Sequence, residues 1–493
     1  MPVDPLNALP DSLLAQLSDF LESQMGLHFP RERWRDLERG IVAAFRASGY
    51  ADAGTFIHWL LSTPLTRSQI EGLASHLTVG ETYFFREKRS FDIFEQHILP
   101  ELLHARAQTE RNLRIWSAGC CTGEEPYSIA MLLDRLIPDP GKWNLTILAT
   151  DINPQFLRKA ALGVYGTWSF RETPGWIRER YFTTRQDGRF EIQPRIRRMV
   201  TFSYLNLADD VYPSLVNGTN AMDVIFCRNV LMYFARKMAK GVIDKLQRSL
   251  VEGGWLITSP TDTSNVQFSG LTAVEFPGAF LYRKVAVTGP PAVAAGYQAP
   301  WYQVAAIAAD TTAESPEPVA FSMAPAVFAA EVLPVTGGEQ AAQADAADPC
   351  ASDDSDMARR QARACADAGR LAEAITWCEK AISADKLNPA HHYLLATIEL
   401  ERGHSTVSER SLGHALYLDP DFVLAYFALG NLCLSAGRQR EARRHFSNAL
   451  SLLRAYPADA PLPASDGLSA GRLVEIIATV QASLPRAQGE LAA

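Results

Sequence analysis

The 493-residue chain has no run of eighteen or more apolar residues, so no helix that crosses a bilayer is expected. Its start, MPVDPLNALPDSLL, lacks the basic residues and long apolar core of a secretory signal. The seven cysteines include no C-x-x-C pair and the ten histidines fall at no metal-ligand spacing, so neither a disulfide framework nor a metal centre is expected. These absences point to a reducing, cytoplasmic setting. Residues 286–357 lack Lys and Arg altogether and carry ten acids, from Asp310 to Asp356, so the net charge of −8 leaves about +2 for everything else. The folded parts are therefore not acidic, and no nucleic-acid partner is expected.

What is present is organised around LRIWSAGCCTGEEPYSIAM, Leu113 to Met131, which reads as strand, tight turn and helix. Gly119 and Gly123 bracket the turn, and Thr122 with Glu125 three residues on reads as a capping box at the helix start. About 28 residues past Gly123, a second strand, LTILATD, ends in Asp151. A glycine turn after one strand and a carboxylate at the tip of the next is how Rossmann-like sheets hold a nucleoside, the carboxylate taking the ribose hydroxyls. The turn is not G-x-G-x-x-G, and Glu124 and Glu125 stand where a pyrophosphate would want bare N–H groups. A nucleoside bearing a sulfonium instead of phosphates fits better, and S-adenosylmethionine (AdoMet) is that ligand.

The length allows two or three domains, and the pattern divides the chain into four segments. Residues 11–78 read as a small helical domain. In its helix Arg31 to Arg46, Trp34, Leu37, Ile41 and Phe45 form an apolar stripe, and Arg35, Arg39 and Arg46 lie close to another line. That basic line suits an acidic helical partner, or it is simply a solvated face. Residues 79–285 read as an α/β domain opening on GETYFFR, where Phe84 and Phe85 suit a core and Arg86 could grip a carboxylate in a fork. Strands are expected at Val200 to Leu205, Met222 to Cys227 and Gly253 to Pro260. A hairpin is expected between YFTT and RFEIQP, inside an insertion from Tyr165 to Arg198. Gly119, Asp151 and the Arg228–Tyr233 segment would share the rim at the carboxyl ends of the strands. Residues 286–356, rich in Ala, Pro and acids, read as a disordered linker. Residues 357–485 read as a repeat domain whose residues 357–454 repeat: Gly369, Gly403 and Gly437 are 34 apart, as are Ala381, Ala415 and Ala449, which is the tetratricopeptide (TPR) period. A last helix from Leu468 to Leu484 is expected to cap the stack.

Taken together and in this order, GETYFFR, RIWSAGCCTGEEPYSIAM, ATDIN, FSYLNL and FCRNVLMYF resemble the chemotaxis receptor glutamate methyltransferases of the CheR family over about residues 11–285. The repeats resemble that family's TPR-fused, WspC-like branch. The resemblance implies methyl transfer from AdoMet to glutamate side chains of chemoreceptor helices in membrane receptor arrays. It implies cofactor contacts at Gly80, Thr82, Arg86, Glu125, Asp151, Asn206, Leu207, Cys227, Arg228 and Asn229. It places Arg86 and Tyr233 at the reaction centre, makes Arg35, Arg39 and Arg46 the receptor-facing residues, and makes the hairpin insertion a subdomain that in some members grips a receptor tail. Gly80 stands where the family commonly has Asn, and Cys121 where it commonly has Ser. The TPR segment implies a protein ligand that the sequence does not name. Two other readings use the same cofactor: a small-molecule methyltransferase, which would not need the basic helix, and a TPR adaptor that binds AdoMet without turnover.

Overall fold

A computed structural model describes residues 9–50, 52–62, 64–107, 111–263, 268, 270–285, 349–458, 460–465 and 468–483. The expected linker falls mostly on residues 286–348, outside that set.

Four helices, α1 (Asp11–Met25), α2 (Trp34–Ser48), α3 (Ala53–Ser62) and α4 (Arg67–Leu77), form the amino-terminal block. They close on Leu17, Leu21, Leu37, Ile41 and Leu60, each almost fully buried. At roughly 1.5–3 kcal/mol per buried aliphatic side chain, this cluster is what holds such short helices in place. The apolar stripe of α2 faces inward at Leu37 and Ile41, and Arg35, Arg39 and Arg46 are exposed. Helix α1 ends at Gly26, in the left-handed region at φ 79°. A side chain there would run into Phe234, with its Cβ 2.7 Å from the Phe234 ring. This close approach seats the block on the α/β domain, where Leu27 pairs with Phe234 in an isolated antiparallel bridge.

The α/β domain holds a seven-stranded sheet in the order β6-β2-β1-β7-β8-β10-β9. Its strands are β1 (Asn112–Ala118), β2 (Asn144–Asp151), β6 (Val200–Tyr204), β7 (Met222–Phe226), β8 (Leu250–Ile257), β9 (Leu271–Phe276) and β10 (Ala279–Lys284). The first five in spatial order are parallel, and β10 and β9 close the edge antiparallel. Burial explains the sequence pattern: β1 and β7 are buried at every residue, as a central parallel strand requires. The order reverses between β1 and β7, which puts a crevice at the carboxyl ends of these strands. The expected hairpin is present as β4 (Phe182–Thr184) and β5 (Phe190–Ile192). With β3 (Val164–Tyr165) they make a separate three-stranded sheet, ordered β3-β5-β4.

The carboxyl-terminal segment is three helix pairs, from Pro349–Asp367 with Leu371–Ala384 to Val423–Ser435 with Gln439–Leu453, followed by Ala470–Ser483. The first helix begins eight residues before the expected boundary. Gly369, Gly403 and Gly437 turn the chain within each pair at φ 74°, 81° and 74°. Ala381, Ala415 and Ala449 are fully covered where the helices close. The 34-residue echo is therefore the spacing of one turn and one close contact per unit.

This helical block is seated on the amino-terminal edge of the sheet. The Glu401 backbone carbonyl accepts from Asn112 Nδ2 at 3.2 Å and from Asn144 Nδ2 at 2.6 Å. The Glu401 carboxylate accepts from Asn220 Nδ2 at 2.9 Å and lies 3.9 Å from Arg114. Asn112 and Asn144 open β1 and β2, and Asn220 precedes β7, so one helix end caps three neighbouring strands. Burial raises the Glu401 carboxyl above its ordinary range, with Arg114 opposing that shift.

Candidate functional site

At the opposite, carboxyl-terminal edge of the strands, the turn after β1 is built by backbone hydrogen bonds. The N–H groups of Gly119 and Cys120 donate to the Thr150 carbonyl at 2.8 and 2.9 Å. Gly119 has φ 79°, and a Cβ there would lie 2.4 Å from Val230, so only glycine lets the turn pack this closely. The helix starts differently from expectation. Gly123 is its N-cap at φ 95° with no side-chain cap, and the helix runs Glu124–Leu136. The Thr122 hydroxyl donates to the Glu124 carboxylate at 2.6 Å, and Glu125 turns away to accept from Ser117 Oγ at 2.7 Å and pair with Arg228 at 3.0 Å. A capping box needs Thr122 itself at the N-cap; the left-handed Gly123 takes that position and removes it.

Asp151 ends β2 with both oxygens held, one by Cys121 N–H at 2.8 Å and the other by Asn153 N–H at 2.9 Å. Burial pushes its carboxyl from 3.8 up to about 6, against the pull of those N–H groups. A carboxylate has about four lone-pair sites, so acceptor capacity remains for a hydroxyl in the cleft that Asp151 lines.

On the other side, Arg228 is buried between Glu125 and Glu87, at 3.0 and 3.1 Å, and also donates to the Arg86 carbonyl. Its Nε is buried without a partner. Asn229, at φ 56°, donates from Nδ2 to Glu87 at 3.1 Å. The segment leading to Arg86 is similarly constrained, with Phe85 and Glu87 at φ 56° and 53°. Arg86 Nη1 donates to the Glu81 carbonyl at 2.6 Å, which leaves the rest of its fork toward the cleft. Asn206 is fixed through Oδ1, accepting from Ala208 N–H at 3.0 Å, and through Nδ2 to Asp209 at 2.8 Å.

Thr82, Arg86, Glu125, Asp151, Asn206, Leu207, Arg228, Asn229 and Tyr233 thus line one cleft. Gly80 and Cys227 are not among its lining residues. Cys227 is fully buried with its N–H on the Ile257 carbonyl at 2.9 Å. A Cβ on Gly80 would lie 2.9 Å from the Phe156 ring, and it is Phe156 that lines the cleft. Arg35, Arg39 and Arg46 are on the exposed face of α2, outside the cleft.

The sequence reading missed the wall contributed by the amino-terminal block. His28 and Arg33 line the same cleft. The His28 N–H donates to the Tyr233 carbonyl at 2.8 Å, and the Arg33 guanidinium stands 5.0 Å from the Tyr233 ring centre. Gly26 at a helix end was the available sign of a sharp turn there, but nothing local says where that turn is aimed. Burial raises the Tyr233 phenol, and Arg33 and then Arg86 oppose the shift.

The cleft suits AdoMet: spare carboxylate acceptors on Asp151 for a ribose, apolar walls from Phe156, Leu205 and Val230, and an unpartnered buried donor at Arg228 Nε near the cationic Arg86.

Comparison with known proteins agrees. Residues 80–267 match the family described as CheR methyltransferase, SAM binding domain. The chain is 30% identical over 252 residues to a chemotaxis protein methyltransferase of Borreliella burgdorferi, spanning 51% of this chain and 87% of that protein. It is 30% identical over 434 residues to the probable biofilm formation methyltransferase WspC of Pseudomonas aeruginosa, spanning 86% of this chain and 95% of that one. Among solved structures, the first TPR of Spaghetti (RPAP3) bound to an HSP90 peptide aligns with 27% of this chain and 96% of its own, at 20% identity and a TM-score of 0.22.

Proposed function

Because the chain belongs to the CheR family of AdoMet-dependent methyltransferases of chemosensory signalling, we propose that it esterifies glutamate side chains on the cytoplasmic helices of a chemoreceptor. The observation that carries this reading is the meeting of Asp151, Arg86 and Tyr233 in one cleft, one wall of which comes from the block that displays Arg35 and Arg39.

AdoMet supplies an electrophilic methyl group: a carboxylate lone pair forms the new C–O bond while the S–CH3 bond breaks, its electron pair passing to sulfur to leave S-adenosylhomocysteine. A glutamate has an ordinary pKa near ~4.3 and is ionised at neutral pH, so no general base is required. The protein's task is alignment and exclusion of water, and alignment alone can supply roughly 7–11 kcal/mol. Asp151 holds ribose hydroxyls through its free lone pairs. Arg228, neutralised by Glu87 and Glu125, stiffens the Arg86 segment through the Arg86 carbonyl. Arg86 and Tyr233 orient the incoming carboxylate, and Phe156, packed on Gly80, occupies the space beside that glycine. The exposed arginines of α2 meet the acidic face of the receptor helix, and the TPR block binds a further protein.

The test is methyl transfer from labelled AdoMet into membranes carrying candidate chemoreceptors, followed by mild base. Base-labile label on a receptor is the expected result, since a glutamyl ester hydrolyses there. Label that resists base, or that appears only on a small molecule, overturns the reading.

A further inference from the structure

Arg33 occupies an unusual place for a residue of the amino-terminal block. It closes the short turn Arg31–Arg33 ahead of α2, and its side chain, only 26% exposed, reaches the cleft instead of joining the outward line of Arg35 and Arg39. The guanidinium carbon lies 5.3 Å from the Phe29 ring centre and 5.0 Å from that of Tyr233. Its ionic partner among the described residues, Asp36, is 3.6 Å from Nε and is shared with Arg39. Arg86, from the α/β domain, lines the same cleft as Arg33 and Tyr233, and its charge also acts on the phenol. Tyr233 therefore shares its cleft with two arginines from two different parts of the chain, Arg33 lying against its ring.

Building on the proposed esterification, we propose that Arg33 is a substrate-contacting residue that captures the target glutamate carboxylate beside Tyr233, in the cleft that Arg86 also lines. Stacking on two aromatic rings holds the guanidinium in place, and a loose pair with Asp36 leaves it free to exchange that partner for the incoming carboxylate. The chemistry then fixes the kinetic signature. As the C–O bond forms and the S–CH3 bond breaks, the carboxylate loses its negative charge and no proton moves. A cation on that carboxylate is therefore worth more before the reaction than during it, so losing Arg33 weakens capture without slowing the chemical step.

The experiment uses full-length protein and the cytoplasmic helical fragment of whichever receptor the wild type labels. Arg33→Ala is expected to raise KM for the fragment at least tenfold, to leave kcat within threefold, and to leave AdoMet affinity and Tm unchanged; Arg33→Lys recovers part of the loss. With S-adenosylhomocysteine bound, Arg33→Ala is expected to weaken binding of the fragment bearing the target glutamate but not of the same fragment with Glu→Gln at that position. An unchanged KM, an equal loss on both fragments, or a lower kcat and Tm at constant KM each overturns the assignment, the last by marking Arg33 as packing. If the wild type itself labels no receptor, the proposed function fails and takes this assignment with it. If the wild type labels normally and Arg33→Ala matches it, only the assignment of Arg33 fails.

Discussion

The two ends of the central strands bury the same kinds of side chain and use them in opposite ways. At the carboxyl end, Asp151 is gripped by backbone N–H groups and keeps lone pairs facing a cleft. Left-handed residues crowd there too: Phe85, Glu87, Gly119, Cys121, Gly123 and Asn229. At the amino end, Asn112, Asn144, Asn220 and Arg114 all turn their polar groups toward one residue, Glu401, under a helix that seals them. A buried acid facing a cleft is available to a ligand, whereas one facing its own chain serves cohesion. Burial raises both carboxyls, so the shift alone does not tell the two roles apart; what each acid faces does.

Substitutions at the two ends should separate those roles. The largest effect is expected from Asp151→Ala, which removes the proposed ribose acceptor: AdoMet affinity should fall by roughly two orders of magnitude, about 3 kcal/mol for charge-assisted hydrogen bonds, measured by calorimetric titration. The wild type should show a related pH response. Its apo carboxyl titrates near 6, above the ordinary 3.8, so the folded protein takes up a proton as pH falls through 6. That uptake favours the folded state below pH 4 and is lost above 6. Ligand binding has the opposite sign, since it needs the charged form: AdoMet Kd should rise roughly tenfold per pH unit below 6. A flat profile from pH 7 to 5 would remove Asp151 from the ribose site.

At the other end, Glu401→Ala should cost about 1–3 kcal/mol of stability by stranding Asn220 Nδ2 and removing a counter-charge of Arg114, seen as a lower Tm, while AdoMet affinity stays within twofold. Equal damage to both properties would erase the distinction between the ends. Tyr233→Phe should keep AdoMet binding and slow transfer by roughly tenfold, about 1.4 kcal/mol in the barrier; normal transfer would make Tyr233 only a packing residue. The smallest effect is expected from Arg35→Ala with Arg39→Ala. On an exposed face these should raise KM for receptor a few-fold, more at low salt than at high.

How much of this could be read beforehand follows from sequence distance. Strands β1, β2 and β7 and the hairpin were legible because burial on both faces, or a Gln186-Asp187-Gly188 turn, leaves a local imprint. The repeats were legible because each unit needs a glycine and an alanine at the same two places. The helix start at Gly123 misled because two signals competed there, and a left-handed glycine outranked a threonine hydroxyl that had a nearer carboxylate to bond. The contacts of Asn112 with Glu401 and of Arg33 with Tyr233 join residues 289 and 200 positions apart. Such pairs leave no periodicity to detect, so the second wall of the cleft and the seat of the helical block emerged only in three dimensions.

The seating of the TPR block on the far side of the sheet has a kinetic consequence. Seven residues of β1 separate the Glu401 contacts from the AdoMet turn, roughly 23 Å at 3.3 Å per residue. A partner held by the helices therefore need not vacate the catalytic mouth before each turnover. If the further protein proposed for the helices also carries the receptor, anchoring and catalysis overlap in time and the receptor meets the mouth at a high effective concentration. The signature would be processivity, with several esters deposited in one encounter before the enzyme departs.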